Sequence, residues 1–305
     1  MKIADHPLGP GHPVFLVAEL GITACGDVKR ACALVDAVAD AGVPAAKFIV
    51  TDPSKTMASR ALEFAYDVMS GPAVAVRDDE GEVHYLPPVM RATRPLYDLL
   101  AECTFTFDEW VTIRDYCHTR GLVFFATVDH LDGVDLLEAL QVPAYKLSCW
   151  DIAYWPLIAK LRTTGKPLLV DIGTATREEV AAVLPVEQNM MFVHDPHPPD
   201  WNMGRMRHFF RPDYPVGFSS PGRESWCDFV ALGGGACLIE KRLTLRRDET
   251  RGHHHAISLE PDEFTAWAKE IRRAEATLRV DEFAGTAQGW ADRKTCTRGE
   301  DGRIP

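Results

Sequence analysis

Two lysines stand inside stretches whose neighbours are apolar and of strand length: Lys47 in Ala45–Val50 (AAKFIV) and Lys146 in residues 144–147 (AYKL). Burying an unpaired ammonium is unfavourable by several kcal/mol, so each lysine needs a counter-charge. A phosphate or carboxylate on a ligand would serve. Structural ion pairs of Lys47 with Glu19 and of Lys146 with Asp151 would serve as well. Other residues able to do chemistry recur at the same place in the pattern. Glu19, Thr127, Asp171, His194, Ser219 and Arg242 fall at or just past the ends of strand-like runs, and Ser148, Cys149 and Asp151 follow the strand that carries Lys146.

The elements that must position these residues repeat. Residues 142–183 read as strand, loop, helix, strand, loop, helix: Leu157, Ile158 and Leu161 form one apolar face, Gly165 stops that helix, and Thr176-x-x-Glu179 is a capping box opening the next. The same unit recurs along the chain. Strands are expected at 13–20, 45–50, 122–127, 144–147, 167–171, 189–194, 215–219 and 236–240. A helix with Ala31, Leu34, Val35 and Val38 on one face follows the first, and a last helix over 261–278 aligns Phe264, Trp267, Ile271, Ala274 and Leu278. Eight strands, most followed by a helix, predict a (β/α)8 barrel, in which polar residues at the C-terminal strand ends build the active site. Residues 51–121 are too long for a single crossover helix. Within them 58–69 has helical character, 77–86 reads as a hairpin around Glu80-Gly81, and 108–118 is an amphipathic helix with Trp110, Ile113 and Cys117 aligned.

Composition bounds the class. The 305 residues are 46% hydrophobic and 25% charged, enough for a large core, and the formal charge is 33 − 44 = −11. That balance argues against nucleic acid or an acidic membrane as the main partner and leaves small molecules. The eight cysteines lack CxxC spacing and read as reduced core filling, with a cytoplasmic location expected. There is no leader pattern and no apolar run of membrane-spanning length. Residues 1–280 are expected to form one catalytic barrel, and the polar stretch 281–305 a tail.

The residues also carry a resemblance. The segments AELGITACGD (18–27), AAKF (45–48), FFATVDHLDGVDLLEAL (124–140), VPAYKLSCWDIAYWPLIAKLRTTGKPLL (142–169), GTATREEV (173–180), PVGFSS (215–220), ALGGGACLIEKRLTLRR (231–247) and GHHHAISLEPDEF (252–264) resemble, in order, the N-acetylneuraminate (sialic acid) synthase family. The resemblance implies a (β/α)8 barrel that condenses phosphoenolpyruvate with an aldehyde-bearing sugar, usually with a divalent metal (Mn or Mg) and a C-terminal antifreeze-like domain. Carried over, Glu19 matches the acid of the AEIG motif that contacts the sugar. Lys47 and Lys146 match the two lysines that hold phosphoenolpyruvate, and Thr127 matches a small hydroxyl residue of the phosphate site. Asp151 stands where the family has an acid, His194 matches a metal-ligand histidine at the end of strand six, and His255 matches a histidine of the loop after strand eight. Ser148, Asp171 and Ser219 are expected to line the substrate site.

The departures are specific. The family's GYSDHT motif, which carries a second metal histidine, is replaced by GFSSPGRES at 217–225, and EKHFT has become EKRLT, which puts Arg242 at a histidine position. Ile49 replaces a glutamine, TACG replaces NHNG, Cys149 replaces a serine, and no antifreeze-like domain is expected after 280. A site with a single histidine ligand holds a divalent ion poorly. Three functions follow. The first is a phosphoenolpyruvate-dependent carbon–carbon synthase with an acceptor other than N-acetylmannosamine and without a metal, in which Lys146, Glu19, His194, Asp151 and Arg242 are catalytic. The second is an aldolase or lyase that uses a lysine Schiff base. The third is a non-catalytic ligand-binding barrel. Family members commonly dimerise through the antifreeze-like domain, and a homodimer stays open as an expectation.

Smaller features have plain structural readings. His253 and His254 are expected to be solvated loop histidines, and His197 exposed. Asp129 is expected to cap the helix after strand three, with His130 on the surface. Gly233-Gly234-Gly235, on the opposite edge of the barrel from the site, is expected to form a tight turn into strand eight.

Overall fold

Eight parallel strands close into a barrel in the computed structural model, which describes residues 1–71, 74–77, 81, 83–86, 88–183, 189–197, 201–206 and 215–278, with Ala291, Arg293 and Arg298. The strands are β1 (Phe15–Gly21), β2 (Ala45–Val50), β3 (Val123–Val128), β4 (Tyr145–Leu147), β5 (Leu168–Asp171), β6 (Met190–His194), β7 (Val216–Ser220) and β8 (Leu238–Arg242). They pair in chain order around the ring, and β8 closes on β1 through Leu238↔Phe15 to Arg242↔Glu19. Their residues are buried almost throughout, as a parallel sheet covered by helices requires. The expected tail at 281–305 lies outside the described residues apart from Ala291, Arg293 and Arg298.

The outer helices seal the barrel with the apolar stripes read from the sequence. Ala31, Leu34, Val35 and Val38 of Val28–Asp40 are buried, as are Trp110, Ile113 and Cys117 of Phe107–Thr119 and Phe264, Trp267 and Ile271 of Pro261–Leu278. The capping box ahead of Arg177–Val183 is formed: Thr176 N donates to Glu179 Oε2 at 2.7 Å, and Glu179 N to Thr176 Oγ1 at 3.2 Å. Gly233 ends the helix Trp226–Gly233, and Gly235 turns the chain into β8 at φ +88°. β8 runs two residues further than expected, so Lys241 and Arg242 belong to the strand itself.

The long excursion between β2 and β3 differs from expectation. Residues Glu63–Met69, read as helical, form a strand paired antiparallel with Val89–Pro95 through all seven positions, from Glu63↔Pro95 to Met69↔Val89. The alanines, leucine and methionine of 58–69 favour a helix. Phe64, Tyr66 and Val68 alternate instead, and a complete antiparallel partner decides for the strand. Val74–Arg77 and Val83–Leu86 extend the excursion as the expected hairpin. The strand Glu63–Met69 then leans over the barrel mouth, where Phe64 meets Trp150 after β4 (ring centroids 6.3 Å apart) and His253 after β8 (5.3 Å).

Candidate active site

The two lysines meet at the C-terminal end of the barrel. Lys47 (1% exposed) donates to Thr127 Oγ1 at 3.1 Å, is ion-paired to Glu19 Oε2, and lies 3.7 Å from Glu240 Oε2. Lys146 (4% exposed) contacts the same Glu240 oxygen at 2.5 Å and lies 3.8 Å from Asp171 Oδ2. Of the structural pairs expected from the sequence, Lys47 with Glu19 is present; Lys146 pairs with Glu240 and Asp171 rather than with Asp151. Strand register explains the convergence. Glu19, Lys47 and Arg242 are opposite one another across β8, β1 and β2, while Lys146 lies opposite Thr127, and Glu240 opposite Ser219.

The shared carboxylate splits the lysines electrostatically. Burial, with Lys146 and Arg242 nearby, outweighs Glu240 and draws Lys47 down to about 7. Lys146 also loses by burial, but Glu240, Asp171 and Asp195 outweigh that loss and hold it above its ordinary value. Burial raises Asp171 to about 7 despite the opposing pull of Lys146. Glu240 is pulled the other way: burial would raise it, and the two lysines lower it. Lys47 and Asp171 therefore change protonation near neutrality, beside a fixed pair of opposite charges.

A second group of residues sits around the rim. His194 is 1% exposed, and burial lowers its pKa. Arg242 donates through one terminal nitrogen to Pro221 O at 2.5 Å and approaches Asp195 Oδ2 to 3.7 Å. Asp151, on the turn Cys149–Asp151, is raised to about 7 by burial and then by Asp129. Ser148 caps that turn, accepting from Trp150 N at 3.3 Å. Ser219 is buried beside Glu240. Two glycines make these approaches feasible: a Cβ on Gly173 would collide with Asp195 O, and one on Gly21 (φ +28°) would collide with Glu19 Oε1.

Four residues depart from expectation. Asp129 does not cap the following helix, because Thr51 Oγ1 donates to its Oδ2 at 2.6 Å and its Oδ1 lies 2.6 Å from His130 Nδ1. His253 is 5% exposed rather than solvated, because Phe64 and Tyr66 of the excursion cover it, and His254, whose ring lies 4.3 Å from that of His253, is half-buried. His255 is held as a structural residue, its Nδ1 2.7 Å from Thr244 Oγ1 and its Nε2 2.8 Å from Arg251 O, which leaves it no nitrogen for a ligand.

The donor set does not fit a resident divalent ion. No group of three or more His, Cys, Asp or Glu placed to hold a metal occurs among the described residues. The segment after β7 expected to carry a second metal histidine reads GFSSPGRES at 217–225, and Arg242 at the end of β8 adds a permanent cation. Among the described residues Glu19 Oε1, Glu240 Oε1, both nitrogens of His194, Asp195 Oδ1, Arg242 Nε and His253 Nδ1 are buried without a hydrogen-bond partner. That many unsatisfied groups at one edge of a barrel mark a ligand site.

A family model described as the NeuB family matches residues 34–282, most of the barrel and the mouth residues named above apart from Glu19 and Gly21. The chain belongs to the NeuB family. Within it, the chain is similar to the spore coat polysaccharide biosynthesis protein SpsE of Bacillus subtilis, at 26% identity over 91% of this chain and 72% of that protein. It is 25% identical to the N,N'-diacetyllegionaminic acid synthase of Campylobacter jejuni, over 86% of this chain and 77% of that one, and 23% identical to the human N-acetylneuraminate-9-phosphate synthase, over 89% and 73%. Among solved structures, the sialic acid synthetase of Leptospira borgpetersenii superposes with a TM-score of 0.77 at 20% identity, covering 98% of both chains, and shares the fold.

Of the residues of this NeuB-family site, sequence reading passed over Glu240, Asp195 and Thr51 and took His253 for a solvated loop histidine. A signal existed for Glu240: three charges in a row, Glu240-Lys241-Arg242, follow Leu238-Ile239 at the end of an apolar run, and alternate residues of a strand must face the barrel interior. His253 had no such signal, since its burial depends on the excursion.

Proposed function

We propose that this protein is a phosphoenolpyruvate-dependent synthase that forms a carbon–carbon bond between the enolpyruvyl group and the carbonyl carbon of an acceptor other than N-acetylmannosamine, without a resident divalent metal. The observation that carries this reading is the convergence of Lys47, Lys146 and Thr127 at the barrel mouth. The NeuB family match, and relatives named as synthases of sialic, legionaminic and pseudaminic acids, support a donor of this kind. The substituted residues lie where the family would hold metal and sugar, which supports a different acceptor.

The chemistry asks for what the site offers. Lys146, kept charged by Glu240 and Asp171, and Lys47, which takes up a proton as an anion arrives, hold the donor's carboxylate and phosphate, with Thr127 donating its hydroxyl. Glu19, set between Lys47 and Arg242, orients the acceptor. The donor's methylene carbon bonds to the acceptor's carbonyl carbon, and the carbonyl electron pair moves to oxygen. Water adds at the donor's second carbon, and the bond from that carbon to the phosphate oxygen breaks. One water proton ends on the new hydroxyl and the other on the departing phosphate. Asp151 and His194 are placed at the rim to handle these protons.

Calorimetric titration of the metal-stripped protein with phosphoenolpyruvate tests the reading, with manganese added in a second run. Binding in the micromolar range without metal is expected. Absence of binding in both runs would overturn it. The lowered pKa of Lys47 favours one other reading, a Schiff-base aldolase or lyase. Borohydride reduction in the presence of a carbonyl substrate would then leave a mass adduct on Lys47.

A further inference from the structure

Resting on the synthase reading, we propose that the acceptor carries a free ammonium group and that Asp195, just past the end of β6, is the residue that binds it. The first ground is the unmade bonds of the mouth carboxylates. Each turns one oxygen to a cation: Glu19 Oε2 to Lys47, Glu240 Oε2 to Lys146 at 2.5 Å, and Asp195 Oδ2 to Arg242 at 3.7 Å. The other oxygen of each, Glu19 Oε1, Glu240 Oε1 and Asp195 Oδ1, is buried without a hydrogen-bond partner. Phosphoenolpyruvate does not complete them, because its carboxylate and phosphate are acceptors too. A second ligand that brings hydrogen-bond donors does.

The second ground is charge. Lys47, Lys146 and Arg242 are matched by Glu19, Glu240 and Asp195, and Asp171, raised to about 7 by burial, adds part of a further negative charge. An anionic donor tips this mouth to a negative excess. A hydroxyl on the acceptor would satisfy a hydrogen bond and leave the excess in place, whereas an ammonium removes both deficits at once. The three carboxylates belong to different strand ends, β1, β6 and β8, and among the described residues they are not gathered into a group that could hold a metal.

The third ground is position. Leu238 and Glu240 share the interior face of β8, and a Cβ on Gly217 would touch both Leu238 and Val193, so Val193 faces the interior too. Asp195, two residues further along and 6% exposed, points the same way. Val193 lies opposite Asp171, whose Oδ2 is 3.8 Å from Lys146 Nζ, so Asp195 stands one step nearer the mouth than the donor lysine. Its backbone is fixed there, because Ile172 N donates to Val193 O at 2.9 Å and Gly173 packs against Asp195 O. Of the three carboxylates it has the loosest cation. The 3.7 Å separation is beyond hydrogen-bond reach, and the Arg242 guanidinium donates to Pro221 O at 2.5 Å instead. Asp195 is therefore the carboxylate with most to gain from an incoming cation.

Methylammonium, the smallest organic ammonium that keeps its N–H donors, is the probe. Phosphoenolpyruvate is titrated by calorimetry into metal-stripped protein in methylammonium chloride, and in tetramethylammonium chloride, which has no N–H, at the same ionic strength. Two ligands that favour each other do so reciprocally, so phosphoenolpyruvate is expected to bind about tenfold more tightly in methylammonium. In Asp195→Asn the two salts are expected to give the same affinity. Asp195→Ser replaces that variant if circular dichroism shows it unfolded. Equal affinities in the two salts for the parent protein, or a difference that survives in the folded variant, overturns the proposal. Two further runs test other occupants. Equal tightening by methanol would make the subsite one for hydroxyls, and tightening by manganese that Asp195→Asn abolishes would make it one for a metal; either result overturns the ammonium. Should the parent fail to bind phosphoenolpyruvate in any salt, the donor reading falls. Saturation-transfer NMR of methylammonium on the free parent and on Asp195→Asn then decides the subsite by itself: binding lost in the variant supports it, and equal binding or none overturns it.

Discussion

Lys47 and Lys146 are the same residue type, are buried to the same degree and share one carboxylate oxygen, yet their pKa values move apart. Lys146 and Arg242 add to the effect of burial on Lys47, whereas Glu240, Asp171 and Asp195 together outweigh burial on Lys146. Lys146→Ala therefore leaves Glu240 buried beside a weaker partner and removes the charge that stays on; phosphoenolpyruvate affinity should fall by about a hundredfold or more, with the far-ultraviolet circular dichroism unchanged. Lys47 predicts a pH dependence. Its protonated fraction falls as pH rises through about 7, so donor affinity should decline above that pH. Binding should also take up protons there, which calorimetry in two buffers of different ionisation enthalpy measures. A flat affinity between pH 6 and 9, a range chosen to bracket about one unit or more on each side of the Lys47 pKa, would contradict this account. Sequence alone placed both lysines, Glu19 and Thr127 at the mouth. It missed Glu240 because the expected strand ended at that residue, and the two further residues in β8 are what fix its direction.

At the scale of elements, the barrel strands and their helices were legible because each carries a period that matches its partner. The capping box at Thr176 and the glycine turn before β8 were legible for the same reason. The excursion was not, because Glu63–Met69 is decided by a partner strand twenty residues away, and the burial of His253 depends on that strand in turn. His255 and Asp129 were misread for a related reason: hydrogen bonds from Thr244 and Thr51, distant in sequence, set their roles. The meeting of the β5 and β6 loops yields a sharp test. Gly173→Ala would put a methyl group into the backbone at Asp195, displacing the residue that faces Arg242; a marked fall in melting temperature is expected, by the several degrees that about 1–3 kcal/mol of overpacking produces in a chain of this size.

For the whole molecule, with its acidic balance of −11, three cations are gathered at the mouth by placing Lys47, Lys146 and Arg242 on β2, β4 and β8, among the carboxylates of Glu19, Glu240, Asp171 and Asp195. If no resident ion takes part, treatment with a chelator should leave phosphoenolpyruvate affinity unchanged, whereas a chelator-sensitive affinity would contradict the synthase reading in its metal-free form. A different buried charge belongs to stability. Lys241, on the other face of β8, is fully buried with Asp228 at 2.8 Å, and Trp267 Nε1 donates to the same carboxylate oxygen at 2.8 Å. Asp228→Ala should cost about 3–5 kcal/mol in chemical denaturation, because it strands an ammonium between barrel and helices.

That alternation has a consequence for how the chain finds its fold. β8 is the strand that closes the ring against β1, and its last three residues are all charged, with Glu240 and Arg242 serving the interior and Lys241 the helix layer. A slip of one residue would reverse every side chain, driving Glu240 and Arg242 into the apolar shell and pulling Lys241 away from Asp228. A one-residue slip cannot satisfy the three charges together. The charges at the end of β8 thus act as a combination lock on the final seam, guarding it against a slip that would turn them to the wrong face.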